Sequence, residues 1–548
     1  MLLTDGDNFI GFVVGGAYSK GTLVQLQNRV HEEIEVGYCL VAESKKGNYL
    51  MIVNDIIADS PDIAISVNMA RKPTFTKHLL SDILLTSKLN CIPIACAFSD
   101  RVDEALTIPD YLSKCKLLTE ESAEAFYGKM DWQKRFPLGS IKPSEYNVPL
   151  DVGVMVQNSF GIFGKSGTGK SVLGNLLAAY ILLYSKNSQL SGDDIPTTQL
   201  IFDMHSEYGL KLKTPSQTVL AAGVAQCFPE EFKVYCVDHE LVEEIEKEFK
   251  RGTLAKEFKI KKEKIEVDDI IALSELLKIS GAGALNLQSL KDKLNEIGGN
   301  WFDAIINFND YTNDFLKENG FDTQTITSLR ALSRRLSIFK NLPQFSETED
   351  TCQELLEELE KGKNIVVSFG KYGDLEALYM FIVNYISRRL RETYVGKSIG
   401  EGVKNRIIIF VEEAHKFLNP GVRESSPLGL IARELRKRGI VLGIIDQTPS
   451  QIDENVFGMI WNFFVGATSI ERDVDAATSS LKLTQLFKPL VSALRRQEFL
   501  VYGSALKYPA VVKVVDYNSI MEIVRKEYES KFKANVNSED VKRFLEED

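Results

Sequence analysis

The sequence predicts an α/β protein built on a mostly parallel sheet, and three observations predict it. Solidly apolar runs recur from residue 159 onward, among them SFGIFG, QLIFDMH, NIVVSFG, RIIIFVEE and IVLGIID. Helical stretches separate them, which is what a sheet covered on both faces requires. A glycine-rich loop, GKSGTGKS (164–171), stands between the first of these runs and a strongly apolar helix, VLGNLLAAYILLY (172–184).

At 548 residues the chain is too long for one ordinary domain, and three or four units are expected. Its composition, 44% hydrophobic and 26% charged with only 16 prolines, argues against long disorder. The net charge of −11 exerts no global pull on nucleic acid, so any such contact needs a local basic surface. The seven cysteines form no C-x-x-C pair and read as reduced core residues of a cytosolic protein. The N-terminus carries Asp5 and Asp7 where a secretion signal would be basic, and helix 172–184 is too short to span a bilayer. A cytoplasmic protein without a membrane segment is expected.

Taken in order, residues 9 to about 140 show short alternating runs broken by Gly, Asn and Asp, which favours a small antiparallel barrel or sandwich. The stretch 135–153, with three prolines, reads as a linker. The strand and helix alternation follows. It lapses between about 240 and 345, where helical periodicity and charge dominate, so this segment reads as a helical insertion. Its charge run at 242–267 reads as a solvated face, with a DNA or partner surface the lesser reading. After FFVGAT come two more strand-like runs, 498–503 and 510–517, then a charged amphipathic tail.

The loop fits G-x-x-x-x-G-K-[ST] in full, as Gly164, Lys165, Ser166, Gly167, Thr168, Gly169, Lys170 and Ser171. Between a strand and a helix N-terminus, its amides converge on one anionic group. Lys170 is expected to reach the β- and γ-phosphates of ATP, and Ser171 to ligate Mg²⁺. The run RIIIFVEEAHKF (406–417) ends on two acids, a Walker B arrangement. Glu412, in the usual aspartate position, is expected in the Mg²⁺ shell, and Glu413 is expected to orient or deprotonate the attacking water. Gln447, at the end of IVLGIID, is placed to sense the γ-phosphate. RELRKRG (433–439) packs four cations into seven residues, either a solvated face or the source of an arginine finger from Arg433 or Arg436, which demands a ring or filament.

These residues together resemble the HerA family of hexameric DNA-translocating ATPases. The matching stretches are the VVGG-containing N-terminal region, GKSGTGKS, IFDMHSEYG (201–209), the double glutamate of F-V-E-E-A-H, and A-R-E-L-R-K-R-G followed by D-Q-T-P-S-Q-I-D. The resemblance implies an N-terminal HAS-type β-barrel over 1–140 and a RecA-like core over 141–239 and 346–505. It further implies a helical insertion over 240–345 and a C-terminal brace onto the adjacent subunit over 506–548. Met204 and Thr448 depart from the proline and arginine usual in the family. His205, Glu207 and Tyr208 are expected to position the site or couple it to a DNA channel rather than to bind metal.

Two functions of different class follow. The leading one is a homohexamer that hydrolyses ATP to pull or unwind double-stranded DNA, beside a NurA-like nuclease in end resection or a sirtuin-like or nuclease effector in antiphage defence. The other is an ATP-regulated hexameric scaffold that activates such an effector with little translocation. Lys211 and Lys213 are weak candidates for pore contacts.

Overall fold

The computed structural model describes residues 8–27, 33–59, 86–213, 219–249, 254–279, 281–395, 404–421, 426–434 and 438–533. The alternating N-terminal runs form seven antiparallel strands: β1 (Phe9–Ala17), β2 (Gly21–Leu26), β3 (Cys39–Ser44), β4 (Gly47–Asp59), β5 (Thr86–Ala97), β6 (Val102–Glu104) and β7 (Lys114–Leu117). They pair in the order β2-β1-β7-β3-β4-β5-β6, and β2 also pairs with β5. The sheet is therefore closed, and of the two shapes its periodicity allowed it takes the barrel, which leaves no long open edge. Ile10, Val24, Leu40, Met51, Leu89 and Cys115 fill the inside.

The remaining strands build one large sheet, apart from two short pairs. In chain order they are β8 (Arg135–Ile141), β9 (Asn147–Asp151), β10 (Ser159–Phe163), β11 (Thr197–Asp203), β12 (Lys211–Lys213), β13 (Val219–Ala222), β14 (Phe232–Cys236), β15 (Ala255–Glu257), β16 (Ile260–Lys261), β17 (Phe345–Ser346), β18 (Asn364–Ser368), β19 (Arg406–Glu412), β20 (Ile440–Asp446), β21 (Ile460–Gly466), β22 (Glu498–Gly503) and β23 (Ala510–Val514). The sheet runs β15-β14-β18-β11-β19-β20-β10-β21-β22-β23-β8-β9. From β15 to β21 every pairing is parallel, and from β21 to β9 every pairing is antiparallel. Every residue of β11, β19 and β20 is buried, as strands covered on both faces must be.

The stretch 135–153 is not a linker. It forms β8 and β9 at the antiparallel end of the sheet, with Pro137 opposite Pro149. β8 meets β23 only through Gly139, Ser140 and Ile141, so the missing proline N–H groups break no ladder on that side. The charged stretch after residue 240 also yields β15, a short edge strand of the same sheet.

Helices Gly281–Gly298, Trp301–Ile306 and Thr323–Leu336 pack on one another around Trp301, Phe302 and Leu329. Arg388 ties this region to the core by forking onto buried Asp269 at 2.8 Å to each oxygen. Cations of the charge run are paired within the chain, Lys256 with Glu354 and Lys262 with Asp303 among them. Helix Tyr517–Tyr528 packs on helix Lys170–Ser191, and the Tyr528 hydroxyl bonds Glu231. No helix among the described residues is long and apolar enough to cross a membrane.

Candidate functional site

The ends of β10, β11, β19 and β20 meet at one edge of the parallel sheet, where ligands of open α/β folds bind. β10 runs into the glycine loop and then into helix Lys170–Ser191. Gly164, Gly167 and Gly169 have φ of +144°, +80° and +104°, a path that side chains with a Cβ rarely follow. Three neighbouring segments hold the loop. Gly164 N–H donates to the Asp446 carbonyl at 3.3 Å, Lys165 N–H to Ala467 at 3.1 Å, and Gln497 N–H to the Thr168 carbonyl at 2.8 Å. Lys170 Nζ donates to the carbonyls of Gly164 at 2.7 Å and Lys165 at 3.1 Å. Burial pulls its ammonium below the usual lysine value, against the opposing charges of Glu413, Asp446 and Glu412.

Glu412 closes β19 with its side chain buried, and Oε2 accepts Met204 N–H at 3.1 Å. Burial, with the nearby charges of Asp203, Glu207 and Glu413, pushes its carboxyl well above the ordinary range. Glu413 takes a left-handed backbone, φ +50°, rare for a long side chain. Its Oε1 accepts Gln447 Nε2 at 2.9 Å, and its Oε2 lies 3.8 Å from His415 Nδ1. Asp446, fully buried at the end of β20, accepts the His415 backbone N–H at 2.7 Å and faces its Nδ1 at 2.9 Å. It also takes Thr448 N–H at 2.7 Å and the Thr448 hydroxyl at 3.2 Å.

The D-M-H-S-E-Y-G turn after β11 is organised by Asp203. Its buried carboxylate accepts the backbone N–H groups of Glu207, Tyr208 and Gly209 at 2.8, 3.1 and 2.7 Å. Burial raises its pKa to about 6 despite those bonds. Glu207 and exposed His205 are thereby presented to the cleft, while Tyr208 is buried behind it.

The family model described as "Helicase HerA, central domain" matches residues 136–390. A "DNA double-strand break repair helicase HerA" from Sulfurisphaera tokodaii is 24% identical over 516 residues, 92% of either chain. The protein of that description from Saccharolobus solfataricus is 23% identical over 514 residues, again 92% of either chain. The chain is similar to the HerA helicases along nearly its whole length. Among solved structures, the bacterial conjugative coupling protein TrwB covers 73% of this chain and 92% of its own at 14% identity, with a TM-score of 0.45.

The P-loop and the match to the HerA central domain make the chain an ATP-hydrolysing enzyme. Ser166, Gly167, Gly169, Lys170, Ser171, Glu412, Glu413 and Gln447 line a single cleft. Gly164, Lys165 and Thr168 frame the loop behind it. Arg433, on helix Pro427–Glu434, is not among the lining residues, and Arg436 lies outside the described residues. Lys211 is ion-paired with Glu248, and nothing is described of the Lys213 side chain.

Ser171 and Glu412 offer hard oxygens to the same cleft, a donor set that suits Mg²⁺, which keeps most of its shell as water and phosphate. Sequence reasoning missed Arg496, which lines the cleft from a turn more than 300 residues beyond the loop and within no motif. It also missed the His415–Asp446 pair, whose two residues stand in separate motifs, E-E-A-H and D-Q-T.

Proposed function

We propose that this chain forms a homohexamer that hydrolyses ATP and uses the turnover to translocate on or unwind double-stranded DNA. A nuclease of the NurA kind, or a defence effector, is the partner. The observation that carries the reading is the Gln447–Glu413 bond at 2.9 Å across the phosphate cleft. It links the end of β20 to the residue best placed to act on water, and so couples the phosphate state to the strand frame. The helicase relatives, similar along nearly the whole chain, support DNA as the track.

In this reading the loop amides and Lys170 bind the β- and γ-phosphates, Lys170 exchanging its two carbonyl partners for phosphate oxygens. Ser171 and Glu412 hold Mg²⁺, which neutralises charge building on the phosphates. Glu413 holds the attacking water in line and accepts its proton. Gln447 fixes the Glu413 carboxylate and meets the γ-phosphate from the other side. Arg433 or Arg436 acts on a neighbour's nucleotide as a finger.

Lys170→Ala and Glu413→Ala should each lower ATP turnover by about 100-fold or more, the usual weight of a positioned base or charge. Unchanged turnover in either variant would sink the assignment. Displacement of a triplex strand from duplex DNA then tests motion. Turnover without displacement, with or without the partner, would replace the motor by an ATP-regulated scaffold.

A further inference from the structure

We propose that Arg496 is a nucleotide-binding residue of its own chain's cleft, its guanidinium taking the α-phosphate end of the bound nucleotide, opposite the hydrolytic end at Glu413. The inference rests on the ATP site proposed above and names a residue that none of the motifs contains.

Sheet order supplies the direction. β19 and β20, which carry Glu413 and Gln447, lie on one flank of β10, while β21 and β22 lie on the other. Arg496 stands two residues before β22 and lines the cleft together with Lys170 and Glu413. A nucleotide with its γ-phosphate at Glu413 and its α- and β-phosphates on the loop amides therefore runs toward the Arg496 flank.

The turn that carries Arg496 is fixed against the loop. Gln497 N–H donates to the Thr168 carbonyl at 2.8 Å, and Val514 N–H donates to the Gln497 carbonyl at 2.9 Å. A Cβ placed on Gly169 would stand 3.2 Å from Gln497 Cγ, so the two segments touch. Gln497 itself is left-handed, φ +64°, a conformation the surrounding bonds must impose on a non-glycine residue. The nearby charged side chains are committed. Arg495 pairs with Glu35 at 2.8 Å, and Glu498 accepts Lys142 at 2.7 Å. Arg496 has no ion pair or hydrogen bond among the described residues, so its planar fork is free for phosphate oxygens.

The full-length chain and its Arg496→Ala and Arg496→Lys variants are compared by titration with ADP and with AMP, and by steady-state ATP hydrolysis. Arg496→Ala should weaken ADP and AMP binding and raise KM for ATP by roughly tenfold, the weight of one charge-assisted bond, with kcat within about twofold. Arg496→Lys should recover part of the loss. Unchanged ADP affinity would overturn the inference, and so would a fall in kcat at unchanged KM, which places Arg496 at the γ-phosphate or in another subunit's site. ADP binding needs no turnover. Glu413→Ala, which should keep ADP affinity while losing hydrolysis, separates a failure of the hydrolytic reading from a failure of this one.

Discussion

His415 illustrates how a single side chain beside the cleft is tuned. Burial works against its charge, but the hydrogen bond and charge of Asp446, with Glu413 nearby, raise its pKa above the ordinary 6.5. Asp446 is pushed up by burial yet held below the ordinary 3.8 by the same bond. Because the folded imidazole has the raised value, its stabilisation is complete below about pH 6.5 and is lost as pH rises through the folded pKa. For Asp446 the window is reversed: its stabilisation is present above pH 3.8 and lost as pH falls through the depressed value. Asp446→Asn should therefore cost about 1.5–3 kcal/mol at mildly acidic pH, as loss of a bond to a charged group does. It should also flatten the decline in stability on the alkaline side. Denaturant midpoints for wild type and variant across that range check it, and parallel pH slopes would refute it. The glycine loop was legible because its eight residues are contiguous. The pairing of His415 with Asp446 was not, because 31 positions separate them and only the adjacency of β19 and β20 brings them together.

Among the elements, helix Lys170–Ser191 depends on one close approach. A Cβ at Gly174 would stand 2.0 Å from the Tyr208 hydroxyl and 3.1 Å from its Cζ. Tyr208 is fully buried, with its ring 6.3 Å from that of Phe410, so it has little room to withdraw. Alanine is the better helix former by about 1 kcal/mol. Overpacking a core costs about 1–3 kcal/mol, and the short contact decides the sign. Gly174→Ala should therefore lower stability in denaturant titrations. Tyr208→Phe alone should be nearly neutral, since its hydroxyl has no hydrogen-bond partner among the described residues. Combined with Gly174→Ala it should restore most of the loss, and a double variant as unstable as the single would rule out the steric account. The elements read best from sequence were those with continuous apolar runs, such as RIIIFVE and IVLGIID, which became β19 and β20. β8 and β9 were hidden by their prolines, which signal a break unless the strand is known to lie near a sheet edge. β15 was hidden because three residues paired on one side carry no periodicity of their own.

For the whole molecule, the order barrel, sheet, helical segment, sheet was readable because periodicity changes where architecture does. The joins between these parts were not, because they are made by long-range contacts: Val41, Ile52 and Ile92 of the barrel pack into the same buried cluster as Leu490 and Val512, and polar bonds add to them. Asn54 of the barrel donates to the Leu486 carbonyl at 3.2 Å, and Lys142 bonds both Glu35 and Glu498 at 3.1 and 2.7 Å. The proposed ring can be tested through what the cleft contains. Its lining supplies Lys170 and Arg496 as cations, and Arg433 is not part of it. If Arg433 completes a neighbour's site, a ring built only of Arg433→Ala chains has intact Glu413 in every cleft but no finger. A ring built only of Glu413→Ala chains has fingers but no base. Each variant alone should be nearly inactive. Mixed rings contain some interfaces where an intact Glu413 faces an intact Arg433, and ATP turnover of the mixture should exceed that of either parent at equal total protein. Equal turnover in mixture and parents would remove Arg433 from the trans position and leave Arg436 to the same test. Full activity of Arg433→Ala alone would show that no finger is needed from this residue.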